Sequence, residues 1–183
     1  MSVARIDLMA SAAGKIGGVA WHHLFLVATD ASGTQTYLRA GPQCLPLEKL
    51  AGRKSVLGDP LESYEPSPAG PYGVITIALG AYEPGGVDFD PTAANVTLAS
   101  ANDAAQLWDK LQQAAAALAA EQIPYDPIGK GANWAIMEAL RRCGAQAPLP
   151  PKRWAPGAAA LAGDDGARDA STRRVGQSVL VAA

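Results

Sequence analysis

The stretch Trp21-His22-His23-Leu24-Phe25-Leu26-Val27-Ala28-Thr29-Asp30, followed by Ala31-Ser32-Gly33 and then Thr34-Gln35-Thr36-Tyr37-Leu38-Arg39, decides the fold class. Two runs rich in β-branched and aromatic residues flank a segment whose Asp, Ser and Gly supply turn chemistry, so the spacing predicts an antiparallel hairpin. Side chains alternate between the faces of a strand. His23, Phe25 and Val27 therefore share one face, and His22, Leu24, Leu26 and Ala28 the other. Both histidines of the chain sit at the mouth of this strand. Histidine is the side chain that titrates nearest neutrality, so any reading of chemistry begins here.

Working outward, Val3-Ala4-Arg5-Ile6-Asp7-Leu8-Met9 alternates as a strand, and Gly14, Gly17 and Gly18 mark the turn before the histidine segment. Gly41-Pro42 ends the hairpin. Residues 42–71 carry Pro42, Pro46, Pro60, Pro66, Pro68 and Pro71 and are expected to be irregular, with a helical turn or two at 45–50. Val74-Ile75-Thr76-Ile77-Ala78-Leu79 and Asn95-Val96-Thr97-Leu98-Ala99 read as further strands. The period then changes. Asn102-Asp103 offer capping side chains, and Leu107, Leu111, Ala114, Ala115 and Leu118 form the stripe of a helix expected to reach Glu121.

Pro124 and Pro127 open a connector to a second helix near Asn133. Trp134, Met137 and Leu140 form its apolar stripe with the indole expected to point inward, Arg141 and Arg142 lie in its last turn, and Gly144 stops it. Trp108, Trp134 and Trp154 all read as packing aromatics. Strands followed by helices predict an α+β fold, an antiparallel sheet with two main helices packed on one side. Residues 1–156 are read as one domain and 157–183 as a flexible tail, in which Ser178-Val179-Leu180-Val181-Ala182 is apolar enough to dock as an edge strand.

The 183 residues are 49% hydrophobic and 17% charged, a balance that supports a packed core. A net charge of -2 provides no basic footprint, so nucleic acid is not an expected partner. No stretch approaches the roughly 20 apolar residues of a membrane-spanning helix. Arg5 and Asp7 interrupt any apolar run near the start, so no cleavable leader is expected; a cytoplasmic protein and one exported by another route both fit. Cys44 and Cys143 form no CxxC-type pair, which removes a zinc ribbon or thioredoxin-like motif. No cofactor is implied. Glu83, Asp88 and Asp90 lack the spacing of a calcium loop and read as solvated acids, and the glycines at 14–18 lack the Lys-Ser/Thr of a phosphate loop.

A histidine on an early strand, followed much later by the connector Tyr125-Asp126-Pro127-Ile128-Gly129-Lys130-Gly131 and by Ala132-Asn133-Trp134 opening a helix, resembles the circularly permuted NlpC/P60 group of papain-like proteins. The resemblance covers 21–39 and 125–144 and rests on short motifs. It implies that the histidine precedes the nucleophile in sequence, and that a cysteine at the helix start, often just after an Asn, attacks an acyl bond. The helix dipole lowers the pKa of such a thiol. Carried over, His23, or alternatively His22, matches the base, and Asn133 matches the neighbouring Asn. Trp134 stands where the cysteine would be, and an indole is no acyl nucleophile.

Cys44 is the candidate for a relocated thiol, with Gln43-Cys44 read as the start of a short helix and Gln43 as an oxyanion donor. Cys143 lies in a last helical turn, where the dipole disfavours a thiolate. Two functions follow. One is a non-catalytic or degenerate papain-like interaction module, an effector domain or assembly partner, that meets another protein through the 42–71 loop and the 157–174 tail. The other is a hydrolase or acyltransferase acting on a small amide or ester, with His23 as base.

Overall fold

The computed structural model describes residues 3–16, 18–44, 68–86, 89–151 and 153–158. Among the described residues five strands form one antiparallel sheet: β1 (Val3–Ile16), β2 (Val19–Asp30), β3 (Gln35–Pro42), β4 (Ile75–Ala81) and β5 (Ala94–Ser100), in the order β4-β3-β2-β1-β5. Helices α1 (Asn102–Ala120) and α2 (Ala132–Arg142) pack on a single face of it. The fold is α+β, as the change of period predicts.

The β2–β3 hairpin closes through the expected side chains. Asp30 Oδ1 accepts hydrogen bonds from the Ser32 and Thr34 backbone N–H groups and from the Ser32 hydroxyl, while Gly33 takes a φ of 88°. These bonds hold the Asp30 carboxyl below its usual pKa, the Ser32 hydroxyl being the largest cause. β1 runs farther than the alternation at 3–9 suggests. It reaches Ile16, with a register shift between Ala12 and Gly14 that lets the Trp21 indole lie against Gly14.

Ile6, Leu8 and Ala10 of β1, Leu24, Leu26 and Ala28 of β2, and Leu38 and Ala40 of β3 face the helices. They meet Ala104, Trp108, Leu111, Ala115 and Leu118 of α1 and Ala135, Ile136, Met137, Ala139 and Leu140 of α2. The Asn102-Asp103 cap does not form as expected. The N-cap is Ala101, at φ 54° with no side-chain cap bond, because its backbone N–H is committed to Ala4 O at 2.8 Å, which fixes where the chain leaves β5. Asp103 still sits in the first turn, where the dipole favours an acid.

α2 ends in a Schellman motif at Gly144, whose φ is 71°: Gly144 N–H donates to Arg141 O and Ala145 N–H to Leu140 O, both at 3.0 Å. The opposite sheet face carries a smaller cluster of Phe25, Val27 and Tyr82, with Met9, Tyr37 and Phe89 packed on it. Gly80 makes room there, since the Tyr37 ring lies where its Cβ would be. The expected helical turn at 45–50, Asp88, and the terminal segment at 178–182 lie outside the described residues.

Candidate functional site

The geometry turns on a gap between β2 and β3. β3 pairs with β2 only from Leu26↔Leu38 to Thr29↔Gln35, then stays with β4 through Pro42↔Ile75. On that edge of β2 the backbone groups of His22 and Leu24 lose their strand partner, and buried backbone polar groups must find another. Asn133, one residue inside the start of α2 and 4% exposed, supplies it. Its Oδ1 accepts from Leu24 N–H at 2.8 Å, and its Nδ2 donates to His22 O at 3.0 Å. A carboxamide presents one acceptor and two donors with peptide-like spacing, so one Asn imitates one residue of a missing strand.

Trp154 completes the substitution, because its backbone carbonyl accepts the His22 N–H at 2.8 Å. The same carbonyl lies 3.3 Å from His22 Nδ1. A carbonyl only accepts, so that contact uses the Nδ1–H form of the imidazole.

His22 and Asn133 are thus brought together, and both are spent on the backbone that joins α2 to β2. His23 is not part of this group. It points to the face away from the helices, directly opposite Ser11 in the β1–β2 register, and stacks on Phe25 with ring centroids 6.2 Å apart. Ser11 is buried there, as is Arg39 of β3. Neither residue stands out in the sequence; the signal that could have found them is the alternation of β1 and β3, which puts odd-numbered residues on the His23 face.

Gln43 and Cys44 extend the β3–β4 ladder, the Cys44 N–H donating to Tyr72 O at 3.1 Å and the Gln43 N–H to Val74 O at 2.9 Å; the turn of helix expected to follow Cys44 lies outside the described residues. The Gln43 side-chain oxygen accepts from Val74 N–H at 3.4 Å. Both cysteines are free and half-buried. Burial pushes the Cys143 thiol above its usual pKa, partly offset by the charge of Lys110.

The connector before α2 is anchored by Tyr125. Its N–H donates to Gly73 O at 2.9 Å, its ring packs on Tyr72 at 5.8 Å, and burial pushes its phenol above the usual pKa, partly offset by the Ala132 backbone amide. Trp134 departs from the inward plug its stripe predicts. It is half-buried, packed on the core by one side, with Lys130 Nζ 5.5 Å above its ring. Trp154 departs further, at 43% exposed, and contributes its backbone instead of its indole; only Trp108, at 4%, is a core tryptophan among these three.

Among the described residues no group of three or more His, Cys, Asp or Glu side chains has metal-binding geometry, and no helix is long and apolar enough to cross a membrane. Asp90 closes a local turn, its Oδ1 accepting from Thr92 N–H at 2.8 Å and from the Thr92 hydroxyl at 2.7 Å. No family model, curated protein or solved structure matches the chain.

Proposed function

We propose that this chain is a non-catalytic interaction module, a degenerate papain-like scaffold serving as an effector domain or assembly partner that binds another protein. The observation that carries this reading is the Asn133 carboxamide, which is consumed by the Leu24 N–H and the His22 carbonyl where a papain-like enzyme would need an open cleft between its helix start and its histidine strand. Trp134 adds an indole in the place of a nucleophile, and His22 turns its Nδ1 to the Trp154 carbonyl instead of to a reacting group. Acyl transfer needs a nucleophile, a base in reach of it and oxyanion donors. Among the described residues, the position that follows Asn133 holds Trp134, which is no nucleophile.

The test is turnover of p-nitrophenyl acetate and of a peptide p-nitroanilide by the full chain, alongside iodoacetamide labelling at neutral pH. The expected result is hydrolysis no faster than that of His22→Ala and His23→Ala variants, with neither thiol reacting faster than a free cysteine. Hydrolysis abolished by His23→Ala, or rapid labelling of Cys44 suppressed by it, overturns the reading.

One observation favours the hydrolytic alternative with His23 as base. Ser11 is the residue opposite His23, and directly opposed side chains on antiparallel strands have Cβ atoms about 4.5–5.5 Å apart, within reach of a hydroxyl–imidazole hydrogen bond. A fluorophosphonate probe would discriminate, since the alternative requires labelling of Ser11 that is lost in both Ser11→Ala and His23→Ala.

A further inference from the structure

The outer edge of β4 is covered for only part of its length. Ile75 N–H donates to Ile123 O at 2.8 Å, Tyr125 N–H donates to Gly73 O at 2.9 Å, and Val74 bridges Pro124 in antiparallel sense, so the connector before α2 lies along 73–75 as a strand would. Backbone groups of a strand alternate in direction. Ile75 therefore sets the phase for Ile77, Leu79 and Ala81, whose N–H and C=O groups point away from β3, while the Tyr82 N–H turns inward to Gln35 O at 3.0 Å. Among the described residues no strand pairs with 77–81 on this side.

The side chains there match the open backbone. Leu79, in register with the core residue Leu38, lies on the face that carries the helices, yet is 50% exposed because the sheet ends beside it. Ile77 on the same face packs against the core, and Ala78 and Gly80 on the other face are small. The run Ile75–Ala81 holds no charge and no proline, devices that ordinarily keep an edge from pairing.

We propose that the 77–81 edge of β4 pairs with the same edge of a second copy of this chain, antiparallel about a two-fold axis through Leu79, so that the two sheets join edge to edge. Leu79 then meets its own copy and Ile77 meets Ala81, each pair exchanging two backbone hydrogen bonds. A row of open N–H and C=O groups is satisfied together only by another strand, and the length of the row selects which one. A strand continuing past Ile77 would strike the connector at Ile123. The second copy stops in time: its residue opposite Ile75 is Glu83, where the chain has left the sheet for a turn closed by Gly86 N–H on Glu83 O at 3.0 Å. Glu83 is also the charge nearest the run in sequence, and it faces Ile75 instead of its own copy, so no like charges oppose across the axis. The two Leu79 side chains cover each other and carry the apolar layer beneath the helices across the interface. Two such short edges cover less than the roughly 1,200 Å² of a standard interface, so the dimer exchanges with free chains and its population rises with concentration. The proposal goes beyond the interaction-module reading and does not rest on it.

The experiment is sedimentation velocity of the full chain from micromolar to millimolar concentration, where the mass is expected to rise from one chain toward two. Leu79→Lys changes an exposed side chain, leaves the core intact and sets two ammonium groups together at the axis; it should weaken self-association by about tenfold or more. Leu79→Cys brings two Cα atoms to about 5.5 Å, within disulfide reach. With the native chain as baseline for Cys44 and Cys143, mild oxidation should cross-link Leu79→Cys much faster than Ala81→Cys, whose mate is Ile77, or Asn95→Cys, exposed on the far edge strand β5. The amides of Ile77, Leu79 and Ala81 should exchange with deuterium more slowly as concentration rises. A single-chain mass at every concentration, an unchanged mass profile in Leu79→Lys, or equal cross-linking of the three cysteine variants overturns the proposal. Slow exchange of the three amides in a single-chain sample gives the edge to another occupant and overturns it as well.

Discussion

Asn133 concentrates two buried hydrogen bonds in one side chain, and its removal is the most informative single change. Asn133→Ala strands the Leu24 N–H and the His22 carbonyl on an edge of β2 that no strand among the described residues covers. An orphaned buried polar group costs about 1–3 kcal/mol, so the expected loss is about 2–4 kcal/mol, read as a lower urea midpoint. Asn133→Asp keeps the acceptor for Leu24 but gives up the donor to His22, and should fall between wild type and alanine at neutral pH. A loss below about 0.5 kcal/mol for the alanine variant would mean that water replaces the carboxamide and that the tie between α2 and β2 is not structural. The sequence marks Asn133 as a residue near a helix start; its role as a surrogate strand residue depends on where β3 parts from β2, which no local pattern encodes.

The two helices are clamped together at one end by ions. Glu138 of α2, buried, accepts two hydrogen bonds from Arg141 at 2.7 Å and one from Arg142 at 2.9 Å, and Arg142 reaches on to Glu121 beyond the end of α1. The Arg141 hydrogen bond foremost, with Arg142 beside it, holds the Glu138 carboxyl down at about 2 against an ordinary 4.5. A carboxyl whose folded pKa is depressed stabilises the fold above its unfolded pKa, and that stability is lost as pH falls from about 4.5 toward 2. Because Arg141 is largely exposed, solvent screening trims the full value of the shift to roughly 1–3 kcal/mol. Glu138→Gln should therefore unfold more easily than wild type at pH 7, with the gap in urea midpoints narrowing below pH 4.5. A gap that stays constant down to pH 3 would assign the effect to packing alone. Arg141 and Arg142 are legible in sequence as last-turn cations favoured by the dipole; the buried acid they share is visible only once α2 is seen against its neighbours.

At the scale of the molecule, one sheet separates two unequal clusters, the larger under the helices and the smaller around Phe25, Val27 and Tyr82. Trp108 belongs to the first at 4% exposed, while Trp134 stands at its border beside a cavity. Trp108→Ala should cost about 3–5 kcal/mol, as for a large aromatic removed from a core, and Trp134→Ala roughly half of that. Thermal or urea unfolding of the two variants checks the ranking. Equal losses would put the Trp134 indole in the core after all. The buried carboxylate Asp7, held by the Thr97 hydroxyl at 2.7 Å and Arg5 Nε at 2.8 Å, ties β1 to β5 on the face opposite the helices, so that face too is specified by polar contacts and not left as bare surface.

The sequence by itself determined the hairpin, the positions of β4 and β5, the stripes of both helices, the stop at Gly144 and the separation of His22 from His23 onto opposite faces. Each of these follows from a local period or from the backbone preference of a few residues, and local physics travels with local sequence. Tertiary structure alone decided that β3 abandons β2 beyond Leu38, that Asn133 and the Trp154 carbonyl fill the vacancy, that Ala101 displaces the expected cap, and that Trp134 borders a cavity instead of plugging one. The filling of the vacancy joins residues more than a hundred positions apart, Leu24 with Asn133 and His22 with Trp154, and the displaced cap joins Ala101 to Ala4; a buried polar group finds such a partner only after the sheet has formed.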